Sequence, residues 1–264
     1  RRFEVTALGK YLQTDFPGSM RPWVRFVGSE WHWNFWGKLI DIVKTGKSAC
    51  EHCYGERIFE WLDKNPEPRE IFNAAMSSRT EMANQAIISG YDFSPFGTLA
   101  DIGGGHGGLL AAILKANPSM RGILFELPNT LEGASKEAFW NDDGLLHRCD
   151  FVSGDFFESI PPGADAYILK TTIHDWQDPE AVQILRNCRR AMGKGKMILI
   201  MEMIIPDNNQ PFHGKLLDLE MMAMTGGCER TVKEYKAILD TTGFKLCRIV
   251  PLASMNSIIE GVAV

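Results

Sequence analysis

Thr98-Leu99-Ala100-Asp101-Ile102-Gly103-Gly104-Gly105-His106-Gly107-Gly108 is the stretch that decides the fold. Thr98–Ile102 reads as a short strand buried on both faces. Five of the next six residues are glycine, more than a tight turn needs, so the backbone is left bare for a ligand to approach. Leu109–Ala116 then reads as a helix.

The same alternation continues outward. Gly122–Phe125, Phe151–Ser153, Ala164–Leu169 and Met197–Met201 read as further strands, with helices such as Pro179–Ala191 between them. Continuous apolar strands alternating with helices imply a parallel sheet covered on both faces. Thr231–Thr241 reads as a helix closed by Gly243, and Phe244–Val250 with Ser257–Val264 as an antiparallel closing pair. The expectation is a doubly wound α/β domain over residues 96–264 with seven mostly parallel strands.

Residues 1–95 lack this alternation and read as helical, over Trp31–Val43, Tyr54–Leu62 and Arg69–Ser89, with Lys64-Asn65-Pro66-Glu67-Pro68 as a stop. Trp23, Trp31, Trp33, Trp36 and Trp61 crowd this region. An ordinary core would use some of them. Their number points further, to a dimer interface and part of a substrate lid.

Composition narrows the function. The chain is 45% hydrophobic and 23% charged, ordinary for a soluble globular protein. A net charge of −5 gives no positive field for nucleic acid or an anionic membrane. No apolar run reaches membrane-spanning length, and no signal peptide is visible. Cys50-x-x-Cys53 has no second pair to complete a zinc site, so the six cysteines read as free. A reducing, cytoplasmic compartment follows.

Gly103-x-Gly105-x-x-Gly108 satisfies the dinucleotide fingerprint, which alone is a weak signal. Glu126, ending the second strand, suits a ribose in either case. Asp101 would crowd a pyrophosphate but suits the ammonium of an amino acid. Gly154-Asp155-Phe156 places a carboxylate for the exocyclic amine of adenine beside a ring that can stack on it. A phosphate-free, cationic nucleoside, S-adenosylmethionine, fits this set better than a nicotinamide dinucleotide.

His174 follows the fourth strand in Lys170-Thr171-Thr172-Ile173-His174-Asp175-Trp176 and so reaches the same sheet edge. An imidazole there can take a phenol's proton. Glu202 and Glu229 are the carboxylates that could orient it. His32, His52, His106, His147 and His213 have no metal-ligand spacing, and no metal is expected. Met221 and Met222 suit either a core or an adaptable apolar pocket.

Asp101–Gly108, Phe125-Glu126-Leu127-Pro128, Gly154–Phe157, Leu169–Asp178 and Gly226–Thr231 together resemble the class I S-adenosylmethionine-dependent small-molecule O-methyltransferases. These are typified by the plant caffeic acid and flavonoid enzymes and have bacterial and fungal relatives. The resemblance spans roughly residues 70–264. It implies a Rossmann-like catalytic domain, a small-molecule acceptor and a homodimer. It implies cofactor contacts at Asp101, Gly103, Gly105, Glu126, Asp155, Phe156 and Lys170, with Leu127 counted beside them. His174 is then the base, bracketed by Glu202 and Glu229. Phe72, Asn73 and Met76 resemble the helix over methyl group and substrate, and Asp175, Met221 and Met222 are counted with the acceptor contacts. The family places a bulky pair after the lysine, where this chain has Thr171-Thr172. Its ribose acid is often Asp, where this chain has the longer Glu126. Of the family's N-terminal winged-helix dimerisation region, only the end, Phe3–Leu12, has a counterpart. Two rivals remain: a family member with hydroxylating, decarboxylating or pericyclic chemistry, and a nicotinamide-dependent dehydrogenase.

Overall fold

Seven strands form one sheet: β1 (Thr98–Ile102), β2 (Arg121–Glu126), β3 (Cys149–Ser153), β4 (Ala166–Lys170), β5 (Met197–Met203), β6 (Phe244–Pro251) and β7 (Asn256–Ala263). Their order in this computed structural model is β3-β2-β1-β4-β5-β7-β6. Residues 1–264 are described, the side chains of residues 80–82 and 143 excepted. β1 to β5 pair in parallel, and β7 runs antiparallel to both β5 and β6. The seven-stranded, mostly parallel sheet expected from the alternation is therefore present.

The order reverses between β1 and β4. From β1 the chain steps out to β2 and β3 on one side, and from β4 to β5 on the other. Loops leaving the two central strands diverge there and open a crevice at the carboxyl ends, where open α/β sheets bind ligands. β1 pairs Asp101 with Ile168, so the glycine loop and the turn after Lys170 leave the sheet side by side.

Ile102, Phe125, Leu169, Ile184, Ile200 and Tyr235 lie in one buried cluster that joins the central strands to the helices Asp178–Ala191 and Val232–Thr241. The second helix begins at a capping box, in which Thr231 and Glu234 satisfy each other's backbone N–H groups.

Tertiary contacts divide the chain into one unit of Arg1–Ala83 with Met222–Gly226, and a second of Asn84–Met221 with Gly227–Val264. The pattern change in the sequence lies near residue 95, whereas this division falls within the helix Pro66–Gly90.

The first unit is helical throughout. Two of its helices are shorter than the periodicity predicts. Trp31–Val43 is broken into Glu30–Trp36 and Leu39–Thr45 at Gly37-Lys38, and Gly55 ends Ala49–Tyr54 before Ile58–Lys64 begins. Glycine weakens a helix at each break. Pro66 stops one helix and opens the next, since a missing N–H costs nothing at a first helical position. Most of the aromatic excess goes into this unit's own core: Phe26, Trp31, Phe35 and Trp61 are buried, while Trp33 is 66% exposed. Tyr54 stacks on Trp61 with ring centroids 4.8 Å apart. All six cysteines are free. Among the described residues no helix is long and apolar enough to cross a membrane.

Candidate active site

Sheet register brings the acids and the histidine together. β4 pairs Lys170 with Met201, so Glu202 follows beside the turn that leaves β4. The amide of Thr171 donates to the Met201 carbonyl at 3.1 Å, and Thr171 then turns with a φ of 48°. A left-handed β-branched residue is strained, and such strain gathers at functional sites. Beyond this turn Ile173–Asp175 forms one turn of 3-10 helix.

Glu202 is completely buried. Its Oε1 accepts the amides of Thr172 and Ile173, both at 3.0 Å. Its Oε2 lies 3.3 Å from His174 Nδ1. Glu202 therefore holds the backbone of the histidine turn and sets a carboxylate oxygen beside the imidazole without hydrogen-bonding it, a task the sequence did not disclose. Burial pushes its carboxyl up to about 7, with His174 pulling it down and Glu229 pushing it further up.

Glu229 arrives by another route. Ile204, just beyond β5, forms a parallel bridge with Arg230. Glu229 Oε1 then lies 2.7 Å from His174 Nδ1. The Glu229 amide donates to Asp218 Oδ1 at 2.8 Å. Gly227 packs flat on the backbone of the histidine turn, and a Cβ there would overlap His174 and Asp175. The Cys228 amide donates to the His174 carbonyl at 2.9 Å.

Arg230 completes this docking. It is 1% exposed and donates to the carbonyls of Ile173 at 3.1 Å and Trp176 at 2.8 Å, and to Asp178 Oδ1 at 3.0 Å. In the sequence Arg230 falls within Gly226–Thr231 and has no assigned role. An arginine beside a glutamate resembles a helix-entry charge until the fold shows which carbonyls it reaches.

One donor atom each of His174, Glu202 and Glu229 lies within 4.8 Å of the others, a set that could hold a metal ion. The 2.7 Å contact between Nδ1 and Oε1 is a hydrogen-bond length, which leaves no room for an ion on that line. The second imidazole nitrogen, Nε2, lies 3.8 Å from Asp175 Oδ1. Burial pushes the Asp175 carboxyl up to about 7.

The glycine loop lies on Asp101, whose carboxylate a Cβ at Gly104 would meet at 2.6 Å. Asp101 is 1% exposed, and its Oδ1 has no hydrogen-bond partner. Burial pushes its carboxyl up to about 7 against the pull of Lys170. An acid expected to face an ammonium thus lies beneath the loop. Its unpartnered oxygen is still the kind of acceptor a bound cation would satisfy. Gly103 and Gly105 have φ of 67° and 60°, and a Cβ at Gly105 would meet only open space. Glu126 accepts the amides of Gly105 at 3.0 Å and Leu127 at 2.7 Å, so its carboxylate is already oriented. Asp155 is exposed after β3 and caps its own turn by accepting the Phe157 amide at 2.8 Å. Phe156 and Thr172 lie against Gly103, within 3.5 Å of where its Cβ would be. A bare loop, an orphaned buried acceptor and two acids at successive strand ends fit a cationic nucleoside.

A family model described as an O-methyltransferase domain matches residues 36–245. The chain belongs to the O-methyltransferase family. It is 42% identical to the phenazine O-methyltransferase of Lysobacter antibioticus, over 98% of this chain and 75% of that protein. It is 36% identical to the mitomycin biosynthesis 6-O-methyltransferase of Streptomyces lavendulae, over 94% of this chain and 70% of that one. A solved O-methyltransferase from neocarzinostatin biosynthesis, in complex with S-adenosylmethionine and 2-hydroxy-5-methyl naphthoic acid, superposes with a TM-score of 0.86. It is 31% identical, over 98% of this chain and 77% of that one. This methyltransferase uses S-adenosylmethionine to methylate a hydroxyl of a small molecule, and the dehydrogenase reading falls with that assignment.

In the methyltransferase, His174, Asp175, Glu202 and Glu229 come together, as do Gly103, Gly105, Glu126 and Leu127. Phe72, Met76 and Met222 are half-buried against the first unit's core, and half-buried Met221 belongs to the second unit.

The buried Asp101 yields a test. Its folded pKa lies above the ordinary value of 3.8, so the folded chain keeps a proton that the unfolded chain loses. That contribution to stability is present at low pH and disappears as pH rises toward about 7. Asp101→Asn should stabilise the ligand-free chain at pH 8 by a few kcal/mol, on the order of the shift itself. The gain should shrink as pH falls toward 4, while binding of S-adenosylhomocysteine weakens. Thermal melts at several pH values check this, and a gain independent of pH would contradict it.

Proposed function

We propose that His174 is the general base that removes the acceptor's hydroxyl proton through Nε2. The observation that carries this reading is the 2.7 Å contact of Nδ1 with buried Glu229. A carboxylate there accepts an Nδ1 proton, which makes Nε2 the basic nitrogen. A phenol with a pKa of about 10 supplies little anion at neutral pH, so a base is needed. As Nε2 takes the proton, Glu229 and Glu202 stabilise the imidazolium. S-adenosylmethionine supplies, when bound, a methyl group on a sulfonium that leaves without acid assistance. The remaining residues align the oxygen.

In this reading Glu126 and Leu127 hold the ribose, Asp155 and Phe156 the adenine, and Asp101, Gly103, Gly105 and Lys170 surround the methionine end and adenosyl group. Asp175 and Met221 contact the acceptor, which we take to be an aromatic or polyketide-like phenol of secondary metabolism. A homodimer in a reducing, cytoplasmic compartment belongs to the same reading. It is supported by exposed Phe3, Leu8, Trp33, Ile40 and Val43 and by the unpaired cysteines.

The test is incubation with S-adenosylmethionine and a panel of hydroxylated phenazines, hydroxynaphthoic acids and aminophenols, read by mass spectrometry. The expected product gains one methyl on oxygen. An aminophenol methylated only on nitrogen would count against the base assignment.

A further inference from the structure

We propose that His106 and Glu137 form a clamp that sets the affinity of the glycine loop for the cofactor without taking part in the chemistry. The proposal rests on the glycine loop being the cofactor site. A run of glycines loses much backbone freedom on ordering, so a loop that must bind tightly needs an outside support.

His106 carries the one side chain among residues 103–108. Its Nδ1 lies 2.6 Å from Glu137 Oε1. Its ring packs on Gly133, where a Cβ would lie 3.1 Å from Nε2. The His106 carbonyl accepts Trp140 Nε1–H at 3.0 Å, and Trp140 is fully buried. Next to it, a Cβ at Gly107 would run into the Trp140 ring. Both the main chain and the side chain of His106 are thus fastened to residues 133–140, the segment that follows the ribose acid and its helix Pro128–Ala134. The neighbouring Gly105 amide is one of the two that orient Glu126. Burial pushes the Glu126 carboxyl up, while the amides of Leu127 and Gly105 and then the nearby His106 pull it down. The two side chains of the clamp are 29% and 39% exposed, so removing them leaves the buried core intact.

These are positioning residues, and their signature is a loss of affinity with turnover retained. Calorimetry with S-adenosylhomocysteine on the unaltered chain, His106→Ala, Glu137→Ala and the double variant tests the clamp. Each single variant should bind about fivefold to tenfold more weakly, the size of one partly exposed charge-assisted hydrogen bond. The double variant should bind no more weakly than the weaker single, because both remove one interaction. The KM for S-adenosylmethionine should rise in proportion, with kcat within about twofold. His106→Asn, whose amide nitrogen can take the place of Nδ1, should recover most of the loss. Unchanged affinity in the single variants, additive losses, or a kcat that falls as far as the affinity would overturn the clamp. No binding by the unaltered chain would instead overturn the cofactor site on which it rests.

Discussion

His174→Ala lowers methyl transfer to a phenolic acceptor by about 10²-fold or more, the usual contribution of a positioned general base, and leaves S-adenosylhomocysteine binding within a few-fold of the unaltered chain. The imidazole contacts Glu202, Glu229 and Asp175 and none of the residues assigned to the ribose. A control separates base catalysis from simple disruption. An acceptor with an acidic hydroxyl, such as a nitrophenol, is already ionised at neutral pH and gains little from a base. The ratio of unaltered to variant rates should therefore shrink as acceptor pKa falls. A ratio constant across acceptors would show that His174 aligns the substrate and does not take its proton.

Arg230→Met lowers the thermal midpoint by about 10 °C, because the turn that carries His174 loses its fastening. Two carbonyls, those of Ile173 and Trp176, lose their guanidinium donors. Each buried acceptor left unmade costs about 1–3 kcal/mol, and each kcal/mol moves the midpoint of a domain this size by roughly 2–4 °C. Asp178 contributes little to this sum, since its side chain is 65% exposed. Methionine keeps much of the volume, so the loss reports the hydrogen bonds and not a cavity. Turnover measured well below the midpoint should fall further than cofactor binding does, since Arg230 supports the histidine turn and not the glycine loop. An unchanged midpoint would mean that Glu202, Gly227 and Cys228 dock that turn without the guanidinium.

Glu202 and Asp101 show where sequence reading stopped. Both were legible as acids at strand ends, because strand periodicity and the glycine loop are local signals. Their tasks were not. Glu202 meets the amides of Thr172 and Ile173 because β5 runs beside β4 in one particular register. Asp101 reads as an acid facing a ligand's ammonium, yet it lies beneath Gly104 because the loop folds back over its own strand. The 3-10 segment Ala138–Arg148 has no assignment from the sequence, and it holds the Trp140 that supports the loop. The helix breaks at Gly37 and Gly55 were visible as glycines, but apolar spacing continued across them.

By itself the sequence determined the kind of sheet, the crevice where a ligand would lie and the residue types able to bind a cationic nucleoside and move a proton. Those follow from side-chain alternation and backbone freedom, which act between near neighbours in the chain. Tertiary structure alone decided which acid faces the imidazole, which one holds its backbone and which arginine secures the turn. Each of those contacts joins segments far apart in the chain: sheet register sets Glu202 beside the histidine turn, and the bridge from Ile204 to Arg230 with the docking of Gly227 and Cys228 brings Glu229 and Arg230 to it.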